Sequence, residues 1–321
     1  MAPPVAPAAA AHSGGPMVAP LQRVVVGLDG SALSVAAAAW AAARVPEGGT
    51  VHLVHGIHPA AELAAAAFQS DGEAVRRVAE ADLEGPWAEP ARATGRPVVT
   101  HVVDDEPAHA VLRVAAAVDA TAIVVGMHGA GGGHLPLLGA VARKILHRSN
   151  LPMVVAHPDP TRPAPASSGP PLVVAGVGYG DASNLAVLWA AEYAAARGLP
   201  LELVHAIALQ PVFPADSPSD TLGSYLGPGV EAAWAREDLE LVREQVLDRH
   251  AGLDVTLRVV SGPVVDALAP PTGGPVELVV AGKRHGARLA RMTISPRLRQ
   301  LIVGSSAPVA VIPSTSPVPA A

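Results

Sequence analysis

The 321-residue chain contains no cysteine, which excludes disulfides, thiolate metal sites and cysteine nucleophiles together. Aromatic residues supply only 3 % of it, so its interior must be filled by small side chains, alanine and valine above all. That composition suits tightly packed layers of helix on sheet better than aromatic-lined cavities. Neither charge sign dominates: a net charge of −6 gives no general attraction for nucleic acid. Apolar runs are short, and the Ala-rich stretch Ala36–Val45 falls well below a membrane span. Met1–Gly15 is rich in Ala, Pro and Gly and lacks a basic n-region, so no signal peptide is expected, and the expected location is the cytoplasm with no membrane partner. No His, Asp or Glu set shows metal-ligand spacing, so no protein-held metal is expected.

Half of the residues are apolar, and the length suffices for two domains with sizeable cores. Two segments match each other in order and spacing. Arg23-Val-Val-Val-Gly27 pairs with Leu172-Val-Val-Ala-Gly176, and Val51-His-Leu-Val-His55 with Leu201-Glu-Leu-Val-His205. Farther on, Glu106-Pro107 pairs with Gly262-Pro263, Ala122–Gly126 with Leu278–Gly282, and Leu151–Val155 with Ala307–Val311. Such self-similarity is a duplication, with one longer loop in the second copy. It divides the chain into an Ala/Pro-rich tail (1–20, expected to be disordered), a first domain (21–157), a Pro/Ser/Ala-rich linker (158–170), a second domain (171–314) and a short tail (315–321).

Each half alternates short apolar strands with helical patterns. In the first, strands are expected near Val24–Leu28, Val51–Gly56, Val98–Val103, Ala122–Gly126 and Met153–Ala156. Helices are expected near Ser31–Arg44, Glu73–Thr94, Ala108–Ala117 and Ala140–Ser149. In the second half the third helix is expected to break at Pro270-Pro271, after about two turns. Alternation of this kind argues for parallel sheets covered on both faces, with ligands at the carboxyl ends of the strands. The fold class is therefore α/β: two tandem five-stranded parallel-sheet sandwiches of Rossmann-like form.

At the carboxyl edge of the first half, strand one is followed by Asp29, strand two ends in His55-Gly56, and strand four ends in Gly126. A glycine-rich loop follows (Gly129, Gly131, Gly132, Gly133), and a helical pattern opens at Gly139-Ala140-Val141. Glycines let a backbone approach an anion, and a helix start aims unpaired N–H groups at it. His128 and His134 flank this loop and read as solvated residues, with phosphate contact in their protonated form as the other reading. Asp29 has a second reading as a turn or cap residue before the helix at Ser31.

These residues together resemble the universal stress protein family, whose ATP-binding members carry Gly-x-x-Gly, nine residues, then Gly-Ser/Thr. The resemblance covers about Gln22–Pro158 and Pro171–Pro313, and extends to adenine-nucleotide-hydrolase-like folds. The pattern lands on Gly126, Gly129 and Gly139, with Ala140 where the hydroxyl residue belongs. Losing one hydrogen bond to a charged phosphate, worth roughly 1.5–3 kcal/mol, weakens such a cradle about ten- to hundred-fold. The resemblance implies an ATP or other adenylate ligand, with a magnesium ion arriving on the nucleotide. Asp29 would face the adenosine, Gly56 would offer backbone contacts to the base, and the N–H groups of Gly139, Ala140 and Val141 would hold phosphate.

It also implies a stress-response protein without catalytic residues, at most a weak ATPase, acting through regulated contacts with a protein partner. The family's last strands, here Pro152–Ala156 and Pro308–Ile312, pair domains, which implies an intramolecular pseudo-dimer and leaves a homodimer open. The loop Leu28-Asp29-Gly30-Ser31 lacks the Ser-Gly-Gly-x-Asp-Ser pattern of the related hydrolases. In the second half Gly178, His285, Ser295 and Pro296 replace Asp29, Gly129, Gly139 and Ala140, so no nucleotide is expected there. An interaction module with both sites decayed is the alternative. The basic run Lys283, Arg284, Arg288, Arg291, Arg297, Arg299 reads as a solvated loop beside a helix, or as a surface for an anionic partner.

Overall fold

The computed structural model describes residues 19–58, 72–128, 138–156, 170–178, 181–207, 228–268, 275–283 and 295–314. The first half contains β1 (Arg23–Gly27), α1 (Ala32–Ala42), β2 (Thr50–Ile57), α2 (Gly72–Glu84), α3 (Glu89–Arg92), β3 (Val98–Asp104), α4 (Pro107–Ala117), β4 (Ala122–Gly126), α5 (Ala140–Arg148) and β5 (Met153–Ala156). The second contains β6 (Leu172–Val177), α6 (Asp181–Arg197), β7 (Leu201–Ile207), α7 (Pro228–Arg249), β8 (Val255–Ser261), α8 (Val264–Ala267), β9 (Val276–Lys283), α9 (Pro296–Gly304) and β10 (Val309–Pro313).

The two five-stranded parallel sheets join edge to edge into one ten-stranded sheet, in the order β3-β2-β1-β4-β5-β10-β9-β6-β7-β8. The seam is the antiparallel pair β5 and β10, with Val154 opposite Ala310. Every other neighbouring pair is parallel. Central strands such as Val24-Val25-Val26 are buried on both faces, so they read as unbroken apolar runs rather than alternating ones. Helices α1 and α6 cover one face, where Ala37, Ala41, Ala190 and Ala194 let helix and sheet approach closely. Helices α4, α5 and α9 cover the other. Both layers run through the seam without interruption.

Side chains reinforce the seam. Arg44 at the end of α1 grips Glu277 of β9 through two bonds, Nε–Oε1 at 2.7 Å and Nη2–Oε2 at 3.0 Å. The Arg44 guanidinium lies 4.3 Å over the Trp40 ring, and Tyr193 of α6 donates its hydroxyl to Glu277 at 3.1 Å. Burial, with the Glu277 carboxylate beside it, pushes the Tyr193 hydroxyl well above its ordinary range and keeps it a donor.

Two expected helices differ. The expected helix over Glu73–Thr94 is two, α2 and α3, because Gly85-Pro86 interrupts it and Pro86 cannot donate back into the helix. In the second half the third helix, α8, is a single turn rather than two. It closes at Leu268, and Pro270-Pro271 lie outside the described residues. No helix among the described residues is long and apolar enough to cross a membrane.

Candidate functional site

The strand order of the first half reverses between β1 and β4. Helix α1, which follows β1, packs on one face, and α5, which follows β4, packs on the other. The two connections therefore leave the carboxyl edge toward opposite faces, and such a strand-order reversal marks the crevice where open α/β sheets bind ligands. Asp29, Gly126 and the start of α5 border this crevice, and Gly56 ends the next strand over, so the topology gathers these expected site residues at one edge.

Backbone bonds fix the β1 side. Leu28 donates its N–H to the Val54 carbonyl at 2.8 Å, and His55 donates Nδ1–H to the Leu28 carbonyl at 2.9 Å. Asp29 accepts at Oδ1 from the Ser31 N–H (3.1 Å) and the Ser31 hydroxyl (2.6 Å). Ser31 in turn caps α1 by accepting from the Ser34 N–H at 3.2 Å. The carboxylate is thus oriented by the first turn of α1, and its role as a turn residue is realised whatever else it contacts.

Gly30 has φ +78°, and a Cβ there would sit 2.4 Å from the Trp87 ring. Trp87 also meets His55 edge-on, with centroids 5.1 Å apart. It reaches this edge from the corner between α2 and α3. Sequence reasoning missed Trp87; the signal that would have found it is the Gly85-Pro86 break, which turns it back toward Gly30.

The glycines have structural reasons of their own. A Cβ on Gly56 would lie 2.7 Å from the Pro107 Cα and 3.1 Å from the Asp105 carbonyl oxygen, so the turn before α4 needs glycine there without any ligand. A Cβ on Gly126 would crowd the Leu33 carbonyl carbon at 3.3 Å and the His128 carbonyl oxygen at 3.4 Å. Gly129, Gly131, Gly132, Gly133 and His134 lie outside the described residues.

The neck of that loop is closed: Gly139 donates its N–H to the Met127 carbonyl at 2.9 Å, which brings the end of β4 against the start of α5. Gly139 is the N-cap, extended at φ −56° and ψ 154°, with no side-chain bond to the helix and no acidic residue in the first turn. The first intrahelical bond runs from the Arg143 N–H to the Gly139 carbonyl at 2.9 Å. Ala140 and Val141 therefore present their N–H groups at an uncapped, positive helix end.

Ion pairs tie α4 to α5 and to the end of β3. Lys144 of α5 pairs with Glu106 at 3.0 Å, and Glu106 caps α4 through the Ala108 N–H. Burial raises the Glu106 carboxyl, but the Lys144 ammonium and the Ala108 N–H outweigh it and hold it below its ordinary value. Asp105 beside it is met by Arg113 at 3.5 Å and His109 at 3.7 Å. No group of three metal-ligating side chains occurs among the described residues.

In the second half the equivalent positions carry different residues. Gly178 takes the place of Asp29 and donates its N–H to the Ser183 hydroxyl at 2.6 Å. Ser295 caps α9 by accepting from the Leu298 N–H at 3.2 Å, and Pro296 has no N–H to offer. Lys283 ends β9 and donates across the seam to the Leu146 carbonyl at the far end of α5, while burial lowers its proton affinity. Arg284, Arg288 and Arg291 lie outside the described residues, and Arg297 and Arg299 are exposed on the first turn of α9.

The model of the universal stress protein family matches residues 20–157 and 172–313. Universal stress protein Rv2005c of Mycobacterium tuberculosis H37Rv is 34 % identical over 156 residues, 47 % of this chain and 51 % of the relative. Universal stress protein Mb2028c of Mycobacterium bovis matches to the same extent. This chain thus spans about half the length of the curated relatives it matches. Among solved structures, a universal stress protein from Archaeoglobus fulgidus DSM 4304 superposes with a TM-score of 0.60 at 15 % identity, covering 91 % of this chain and 98 % of that one. A functionally unknown protein from Pseudomonas aeruginosa PAO1 gives a TM-score of 0.52 at 14 % identity, covering 91 % and 92 %. At such identities the structural likeness concerns the fold alone.

Proposed function

The chain belongs to the universal stress protein family, and from that premise we propose that its first half binds an adenine nucleotide, ATP in the first instance, and acts through regulated contacts rather than turnover. One observation carries the reading: α5 begins uncapped at the strand-order reversal, with Ala140 and Val141 N–H groups and the Gly126 turn held together by the Gly139–Met127 bond. The triphosphate would lie on that helix start, the adenosine toward Asp29 and Gly56, and magnesium would accompany the phosphates. Ser31, the hydroxyl nearest to a nucleophile's place, is committed to Asp29 and to capping α1, which favours binding over hydrolysis. The second half takes no nucleotide in this reading, because its helix start is already satisfied.

Calorimetry with ATP tests it. Folded protein should give a binding heat and a thermal shift at millimolar ATP, and Ala140→Ser should tighten binding about tenfold by adding a hydroxyl donor to phosphate. A second reading, an interaction module blind to nucleotide, draws on the packing that accounts for Gly56 and Gly126 without a ligand. No heat and no shift, with Ala140→Ser equally silent, would decide for it.

A further inference from the structure

The two halves differ at one half-buried cross-strand position beside each outer edge of the sheet. In the first, His52 of β2 and His101 of β3 meet with Nδ1 and Nε2 3.0 Å apart. In the second, Glu202 of β7 and Arg258 of β8 form a doubly bonded ion pair at 3.0 and 2.9 Å. The register is the same: His52 lies opposite Val99 and Val54 opposite His101, as Glu202 lies opposite Thr256 and Val204 opposite Arg258. One copy holds a permanent ion pair where the other holds two imidazoles.

We infer that the His52–His101 pair is an acid-sensitive clasp on the edge strand β3, which loosens when both imidazoles become charged. A hydrogen bond between two imidazole nitrogens needs one N–H and one lone pair, so two charged rings cannot make it. The charges that bear on His52 add to the effect: His101 on β3 is positive once protonated, and Arg23 on β1 is positive throughout. Arg23 is held in place by the Val118 and Asp119 carbonyls, at 3.0 and 2.9 Å. On α4, which packs on the same face, His109 and Arg113 are engaged by Asp105 and Glu106 at the carboxyl end of β3. On the opposite face of the sheet, the α2 groups Arg76 and Glu84 serve Asp104 and Thr100.

Burial lowers the proton affinity of both rings, aided for His52 by His101 when that ring is charged and by Arg23. A released strand therefore binds protons more readily than the paired one. The clasp is at full strength above the ordinary imidazole value of 6.5 and weakens as pH falls through it. The Glu202–Arg258 pair contains no imidazole, so β8 has no such clasp to lose.

Hydrogen exchange of the full chain at pH 7.5 and 5.5, corrected for the intrinsic pH dependence of amide exchange, tests the clasp. Protection of β3 should fall about tenfold or more on acidification, while β8 holds. His52→Glu with His101→Arg, which installs the second half's pair, should abolish the fall. Equal responses of β3 and β8, or an acid response that survives this exchange, would overturn the inference. Should the double variant fail to fold, imidazole titration by NMR in the unaltered chain decides. His52 and His101 must titrate below an exposed histidine, and titration at or above it sinks the clasp.

Discussion

Helices α5 and α9 occupy the same place in the two halves and are each nine residues long. Their beginnings are opposites. Gly139 leaves the start of α5 without a side-chain acceptor, while Ser295 and Pro296 satisfy one N–H of α9 and remove another. A cap that stabilises a helix and a site that receives an anion compete for the same backbone donors. After duplication, one copy leaves its helix start without a side-chain cap and the other uses those donors for its own stability. Likewise Asp29 at one β1-type loop is answered by Gly178 at the other, with the adjoining serine bond retained in both (Ser34 and Ser183).

The comparison can be broken at three points. The largest effect is expected at the seam. Glu277→Ala strands Arg44 and removes the acceptor of Tyr193, and with both partners largely buried it should cost about 2–3 kcal/mol in urea unfolding. Separate transitions for the two halves would accompany that loss if side chains, rather than the β5–β10 pair alone, make the sheet one cooperative unit. Next comes the end of strand two, where Gly56 has Ala206 as its counterpart. Gly56→Ala should cost about 1–3 kcal/mol through overpacking against Pro107, whereas Ala206→Gly should cost no more than about 1 kcal/mol, through backbone entropy.

The smallest stability change is expected at the helix starts. Ser295→Ala should cost about 1 kcal/mol, and Gly139→Asp should gain up to about 1 kcal/mol by capping α5. The second substitution should also remove the ATP response, since a carboxylate then holds the donors. An ATP response that persists would place any ligand elsewhere than on this helix.

Architecture was legible in the sequence because duplication repeats its signals. Val24–Val26 and Val173–Ala175 are apolar runs only a doubly covered strand needs, and each half confirms the register of the other. Local breaks were less legible. Helix α2 ends at Gly85-Pro86 because of proline geometry that the surrounding periodicity concealed, and α8 stops after one turn before its prolines are reached. Contacts between distant positions could not be read at all. Forty-nine residues separate His52 from His101, and their meeting follows from sheet register rather than from any local pattern. Gly56 was legible as a glycine but not for its reason, because the pressure on it comes from Pro107 across a turn.

One contact on α5 carries a mechanical consequence. The helix spans about 13 Å from end to end, at 1.5 Å per residue. Its first turn belongs to the crevice of the first half, while the Leu146 carbonyl in its last turn receives the Lys283 ammonium of the second. It is a strut with one foot on each copy. The bond ties the last turn of α5 to β9, which is itself hydrogen-bonded to both β6 and β10. The second half is in this way tied to the helix whose start faces the first half's strand-order reversal.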